Sequence, residues 1–157
     1  MSDEQLENTQ HWYTDVVTSR LLAAARQAYI NNLRAELAEA GLDDLPRRGP
    51  FILGAIANHG STLTEAVEWL HISRQAASQL VDALVLRGYL DRAPDPRDRR
   101  RITVSLTERG RAAAQITRDA GLDVDNAIRD RVGEEALATT RSVLAAMAEL
   151  GRREHVS

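Results

Sequence analysis

Residues 63–110 read LTEAVEWLHISRQAASQLVDALVLRGYLDRAPDPRDRRRITVSLTERG, two short helical patterns, a tight turn and two strand patterns in unbroken succession. Thr62-Leu63-Thr64 offers an N-cap for a helix reaching Leu70, His71-Ile72 makes the turn, and Ser73 caps a second helix to about Arg87. Gly88 supplies its stop. Ile72, Ala76, Leu80 and Leu84, each four apart, are expected to face a core shared with Val67 and Leu70. That leaves Arg74, Gln75, Ser78, Gln79 and Asp82 on the opposite face. Two short helices locked by one core, with the second free to project, are the helix-turn-helix pattern.

The strands follow at once. Tyr89-Leu-Asp-Arg92 is the first, and Arg101-Ile-Thr-Val-Ser-Leu106 the second, with Ile102, Val104 and Leu106 at period two. Ala93 to Arg100 is the hairpin tip, where Arg97, Asp98, Arg99, Arg100 and Arg101 concentrate positive charge. Such repulsion costs stability unless a counter-charge arrives, and a narrow minor groove supplies one. On the helix, Ser73, Arg74, Gln75, Ser78 and Gln79 occupy the N-terminal half, where Arg suits guanine edges and Gln suits adenine. A helix for the major groove with an Arg-tipped wing beside it is a winged helix-turn-helix.

Outward from this segment the chain is helical. One long helix is expected from about Gln10 to Ala40, marked by Leu22, Tyr29, Leu33, Leu37 and Ala40 and ended by Gly41. A loop to Pro50 leads into a helix from Phe51 to about Asn58. Thr107 caps a helix carrying Ile116, Ala120, Val124, Ile128 and Val132, and Gly133 interrupts it. A last helix opens on Glu134-Glu135 and sets Val143, Met147 and Leu150 on one face. The fold expected is mainly α, with a small β-hairpin wing. The winged domain is expected at 46–111, with 1–45 and 112–157 as a helical region whose long first helix has either the C-terminal helices or another subunit as its partner.

Composition narrows the function. The 157 residues hold 43% apolar and 27% charged side chains, no Cys, and only 4% aromatics. There is no disulfide framework and no thiolate metal site. No apolar run approaches the roughly 20 residues that cross a bilayer, and the acidic start lacks a signal-peptide n-region, so a cytoplasmic location is expected. All 20 basic residues are Arg. The net charge of −3 is unevenly spread, with nine Arg against five acids in residues 73–111 and 11 Arg against 18 acids elsewhere. An acidic body with a basic middle is the footprint of a protein presenting one face to a polyanion. The four His at positions 11, 59, 71 and 155 have no paired ligand spacing, and no Gly-rich phosphate loop or nucleophile elbow occurs. Neither a metal, a cofactor nor an enzyme is expected.

The run Leu63 to Gly110, above all Arg87-Gly-Tyr-Leu-Asp-Arg92, Asp95-Pro-Arg-Asp-Arg-Arg100 and Leu106-Thr-Glu-Arg-Gly110, resembles the MarR family of bacterial transcription regulators. The resemblance implies a homodimer held by the first and last helices, binding double-stranded DNA and most often repressing. It implies an Arg100 that enters the minor groove and an Asp98 that steadies it. It also implies a small aromatic or phenolic effector between the helical region and the winged lobe. Trp12, Tyr13 and Phe51 are candidates to line that pocket, although core positions are the simpler expectation for them. His71 stands where the family often has Gly, Gln79 where it often has Arg, and the lack of Cys excludes thiol-based sensing. The competing reading is a winged-helix module whose Arg tip meets an acidic protein. Replacing Arg100 with Ala should weaken DNA binding across sequences and flatten the slope of log affinity against log salt by about one unit. A salt titration of the variant checks this, and an unchanged slope removes Arg100 from the phosphate contacts.

Overall fold

The first helix, α1 (Thr18–Glu39), follows Val17, which lies in extended backbone with no side-chain cap. The structure is a computed structural model that describes residues 13–59, 73–94 and 102–153. The helix therefore starts later than the apolar spacing predicts. Tyr13–Asp15 form a turn closed by the Val16 amide on the Tyr13 carbonyl at 3.1 Å. The β-branched run Thr14, Val16, Val17 and Thr18 favours extended backbone over a helical start. At about 1.5 Å per residue the 22 residues of α1 span about 33 Å.

Two glycines at positive φ set the direction in which the chain leaves its helices. Gly41 (φ 68°) ends α1, with the Leu42 amide bonded to the Leu37 carbonyl (2.8 Å) and the Gly41 amide to that of Ala38 (3.1 Å). Gly88 (φ 71°) repeats the arrangement beyond the helix Arg74–Leu86, with Tyr89 to Leu84 (2.9 Å) and Gly88 to Val85 (2.9 Å). Both are Schellman caps, in which the residue after Gly turns back onto the helix. Here each such residue, Leu42 and Tyr89, is buried in the core. Between the two caps lie α2 (Gly49–His59), with Pro50 in its first turn as expected, and α3 (Arg74–Leu86).

Strands β1 (Leu90–Pro94) and β2 (Ile102–Leu106) pair antiparallel, with Leu90 opposite Leu106 and Pro94 opposite Ile102. The ladder reaches two residues further along the first strand than expected, because Thr103 and Ile102 find partners in Ala93 and Pro94. Only Leu90 of β1 is buried, so the hairpin is anchored at its base and projects. The helix at 63–70, the turn at His71-Ile72, and the tip with Arg97, Asp98, Arg99, Arg100 and Arg101 lie outside the described residues.

Thr107 begins α4 (Glu108–Val132) by accepting the Gly110 amide at 3.0 Å, and α5 (Glu134–Arg153) follows Gly133. Helix α4 packs against α1, α2 and α5, and α3 against β1. The core gathers Leu37 and Leu42, Ile52, Leu53 and Ile56 of α2, Val81 and Leu84 of α3, Tyr89, Leu90, Ala113 and Ala114. On α3 the buried line is Ala77, Val81 and Leu84, with Ala76 and Leu80 only partly covered. Steps of four advance about 40° beyond each full turn, so a row read every fourth residue drifts off the inward face that 77, 81 and 84 hold. Val143, Leu144, Met147 and Leu150 of α5 are exposed, with Leu122 and Val132 of α4.

Gly110 is the tightest point. A Cβ built there would sit 2.0 Å from the Tyr89 carbonyl oxygen, whereas one at Gly121 of the same helix meets nothing within 4 Å. Gly110→Ala should therefore destabilise by on the order of 3 kcal/mol or more, since backbone must move. Gly121→Ala should stabilise by about 0.5–1 kcal/mol through helix propensity. Urea unfolding of the two variants checks the contrast, and equal midpoints would contradict the close approach.

Candidate nucleic-acid interface

Helix α3 is fixed at its C-terminal end and free along its N-terminal outer face. Ser73 is its N-cap, its hydroxyl oxygen accepting the Ala76 amide at 3.2 Å. Arg74 is the first residue of the helix, and Gln75, Ser78 and Gln79 are exposed on one side. The core line of Ala77, Val81 and Leu84 occupies the other. Polar groups at the start of a helix, with their amides and dipole directed outward, suit base edges and phosphates.

Asp82, one turn beyond Ser78, accepts an ion pair from Arg92 of β1 at 2.6 Å. This contact joins α3 to the base of the hairpin, and sequence reasoning missed it. An acid on the helix and a base on the following strand were the available signal. Both side chains are substantially exposed, so the pair fixes orientation more than it adds stability.

A second missed constellation lies behind the helix. The Tyr89 hydroxyl donates to Asp44 Oδ1 at 2.5 Å, and Arg109 donates to the same carboxylate from Nη2 at 2.9 Å. Arg109 Nη1 also donates to the Arg87 carbonyl, the C-cap of α3, at 2.7 Å, and the guanidinium lies 4.4 Å from the Tyr89 ring centroid. The Tyr89 hydrogen bond, reinforced by Arg109, holds the Asp44 carboxyl below its ordinary range against the cost of desolvation. Burial and the bond to Asp44 push the Tyr89 hydroxyl up to about 12. A parallel group ties α1 to α4 and α5, with the Tyr29 hydroxyl on Asp125 at 2.5 Å and Arg141 on Asp125 at 2.7 Å. Burial, then the Asp125 bond, pushes Tyr29 up to about 12.

A cavity of about 610 Å³ opens between α1, the loop at 42–48 and the start of α2. Arg26, Arg34, Arg47 and Arg48 line it with one acid, Asp43, and none of the four Arg forms an ion pair among the described residues. Phe51 lines the cavity and is 48% exposed, while Ile52, Leu53 and Ile56 take the buried side of α2. The expectation of a core role for Phe51 and Tyr13 therefore fails, because Tyr13 lies exposed in the turn before α1. Trp12 lies outside the described residues. No described helix is long and apolar enough to cross a membrane, and among the described residues no cluster of three His, Asp or Glu is placed to hold a metal.

Folded-state tyrosine pKa values above the unfolded 10.0 give a stability contribution that is full below pH 10 and lost as pH rises toward 12. Of the three tyrosines, two should ionise near 12. Tyrosinate absorbance across an alkaline titration, with unfolding followed in parallel, checks both. Two or more tyrosines ionising near 10 in folded protein would contradict the hydrogen bonds.

Residues 43–101 match the profile of the MarR family. An uncharacterized HTH-type transcriptional regulator of Bacillus subtilis (strain 168), YwhA, is 25% identical over 84% of this chain and 85% of its own. The fold is that of a mutant E. coli MarR complexed with operator DNA, with a TM-score of 0.67, 22% identity, and coverage of 87% of this chain and 97% of the other. It is also that of Bordetella bronchiseptica BpsR, whose DNA binding is regulated by 6-hydroxynicotinic acid, with a TM-score of 0.66, 20% identity, and coverage of 88% and 96%. The segment 43–101 thus carries the similarity to the MarR family, and the described helices and hairpin share the fold of the E. coli MarR structure.

Proposed function

We propose that the protein is a homodimeric, sequence-specific repressor whose two recognition helices enter successive major grooves of a pseudo-palindromic operator. The observation that carries this reading is the one-sided α3, with Gln75, Ser78 and Gln79 open to solvent above a packed Ala77, Val81 and Leu84. Ser73, Arg74, Gln75, Ser78 and Gln79 supply the groove contacts. Arg97, Asp98, Arg99, Arg100 and Arg101 supply the wing's contacts with the backbone and minor groove.

The dimer reading is supported by the exposed Val143, Leu144, Met147 and Leu150 on α5 with Leu122 and Val132 on α4. A row of large apolar side chains exposed on α4 and α5, rather than on α3, marks a protein interface. A second copy would cover it and set the lobes apart. An effector is supported by the cavity between α1 and the winged lobe. Four guanidiniums against one carboxylate favour an anionic ring compound, such as an aromatic carboxylate, with Phe51 beside it.

Selection of duplexes from a random pool, followed by competition with unrelated duplex, tests the reading. A preferred sequence bound roughly 10³-fold or more tightly than unrelated duplex is the expected result. Binding without preference, with retention of an acidic protein instead, would favour the protein-interaction module. Gln75→Ala should relax preference at one base position by about 1–3 kcal/mol and leave the others intact. Uniform weakening across sequences would move Gln75 from base readout to backbone contact.

A further inference from the structure

The loop at 42–48 has two neighbours at once. On one side Leu42, Asp43, Leu45 and Arg47 line the cavity against α1. On the other, Asp44 between them accepts the Tyr89 hydroxyl and the Arg109 guanidinium. Tyr89 is the residue that closes the Schellman cap of the recognition helix and leads directly into β1. Arg109 simultaneously holds the Arg87 carbonyl at the end of that helix. One carboxylate thus touches the cavity wall through its chain neighbours, and both the recognition helix and the wing through its hydrogen bonds.

We propose that Asp44 is a positioning residue that couples the 42–48 loop to the recognition helix, so that a ligand seated in the cavity and DNA in the groove each bias the other's site. The proposal rests, for its ligand half, on reading the cavity as an effector site. The physical basis is that a loop held by one multidentate carboxylate follows the body that carries its donors. A ligand displacing the loop pulls Asp44 from Tyr89 and Arg109, frees the end of α3 to rotate, and misaligns Gln75, Ser78 and Gln79 with the groove. Linkage makes the effect reciprocal, so fixing α3 on DNA must quieten the loop. The Tyr29–Asp125–Arg141 group, built of the same residue types but tying α1 to α4 and α5, has no hydrogen bond to α3 among the described residues and serves as the internal control.

The test uses the full chain and a duplex that it selects from a random pool. Hydrogen exchange is followed at the Leu42 and Leu45 amides, which are bonded to the Leu37 and Leu42 carbonyls. In the unmodified protein the duplex should slow exchange at both several-fold. In Asp44→Asn the response should vanish. In Tyr89→Phe, which keeps the ring and the Arg109–Asp44 pair, it should fall by about half. Tyr29→Phe should respond like the unmodified protein. An equal response in Asp44→Asn and the unmodified protein, or an equal loss in Tyr29→Phe, overturns the coupling.

The second arm adds 6-hydroxynicotinate or benzoate as probe. Either should weaken duplex binding at least fivefold in the unmodified protein and less than twofold in Asp44→Asn, while calorimetry shows the probe still bound. Equal weakening of both proteins overturns the proposal. If neither probe binds the unmodified protein, the effector reading of the cavity fails for this ligand class, and the exchange arm alone decides the coupling.

Discussion

The architecture turns on the junction between Gly110 and the Tyr89 carbonyl. No side chain fits between them. The contact presses the start of α4 against the point where α3 ends and the hairpin begins. Thr107 reinforces it, its hydroxyl donating to the Gly88 carbonyl at 2.6 Å and its amide to that of Tyr89 at 3.1 Å. Helix α4 then carries that position 25 residues along the molecule to the exposed apolar rows of α4 and α5. Packed backbone at this junction leaves little room for the start of α4 to move relative to the end of α3.

The same junction explains why α3 is so unevenly held. Its C-terminal half is tied by a Schellman cap, by Arg109 on the Arg87 carbonyl and by Arg92 on Asp82. Its N-terminal half has one side-chain cap and a polar outer face. Rigid at the rear and open in front suits the proposed groove reading, since ordering flexible side chains on binding costs about 0.5–1.5 kcal/mol apiece. Electrostatics works alongside. Residues 73–111 carry a surplus of Arg within an otherwise acidic chain, so a polyanion is drawn to that segment and repelled elsewhere.

Much of this is legible in the sequence because it is local. Gly41, Gly88, Gly133, Ser73 and Thr107 announce helix ends within a few residues of themselves, and the structure places a cap at each. The exposed Gln75, Ser78 and Gln79 follow from helical geometry, although steps of four centre the inward row of α3 one residue too early. Apolar spacing alone extends α1 too far upstream, because it takes no account of the β-branched run at Thr14 to Thr18. The features that the sequence does not show are long-range. Asp44 and Tyr89 are 45 residues apart and Arg109 is 65 from Asp44, and no periodicity joins them. The cavity and its four arginines arise only when α1 and the 42–48 loop meet, which turns Phe51 from an expected core residue into a wall.

The proposed dimer on DNA should leave a twofold imprint, and hydroxyl-radical footprinting of the protein on a selected duplex tests for it most directly. Two protected patches related by a twofold axis, with centres one helical turn or a whole multiple of it apart (about 34–36 Å per turn), are the predicted result. A single patch at saturating protein, or uniform protection along the duplex, would contradict it.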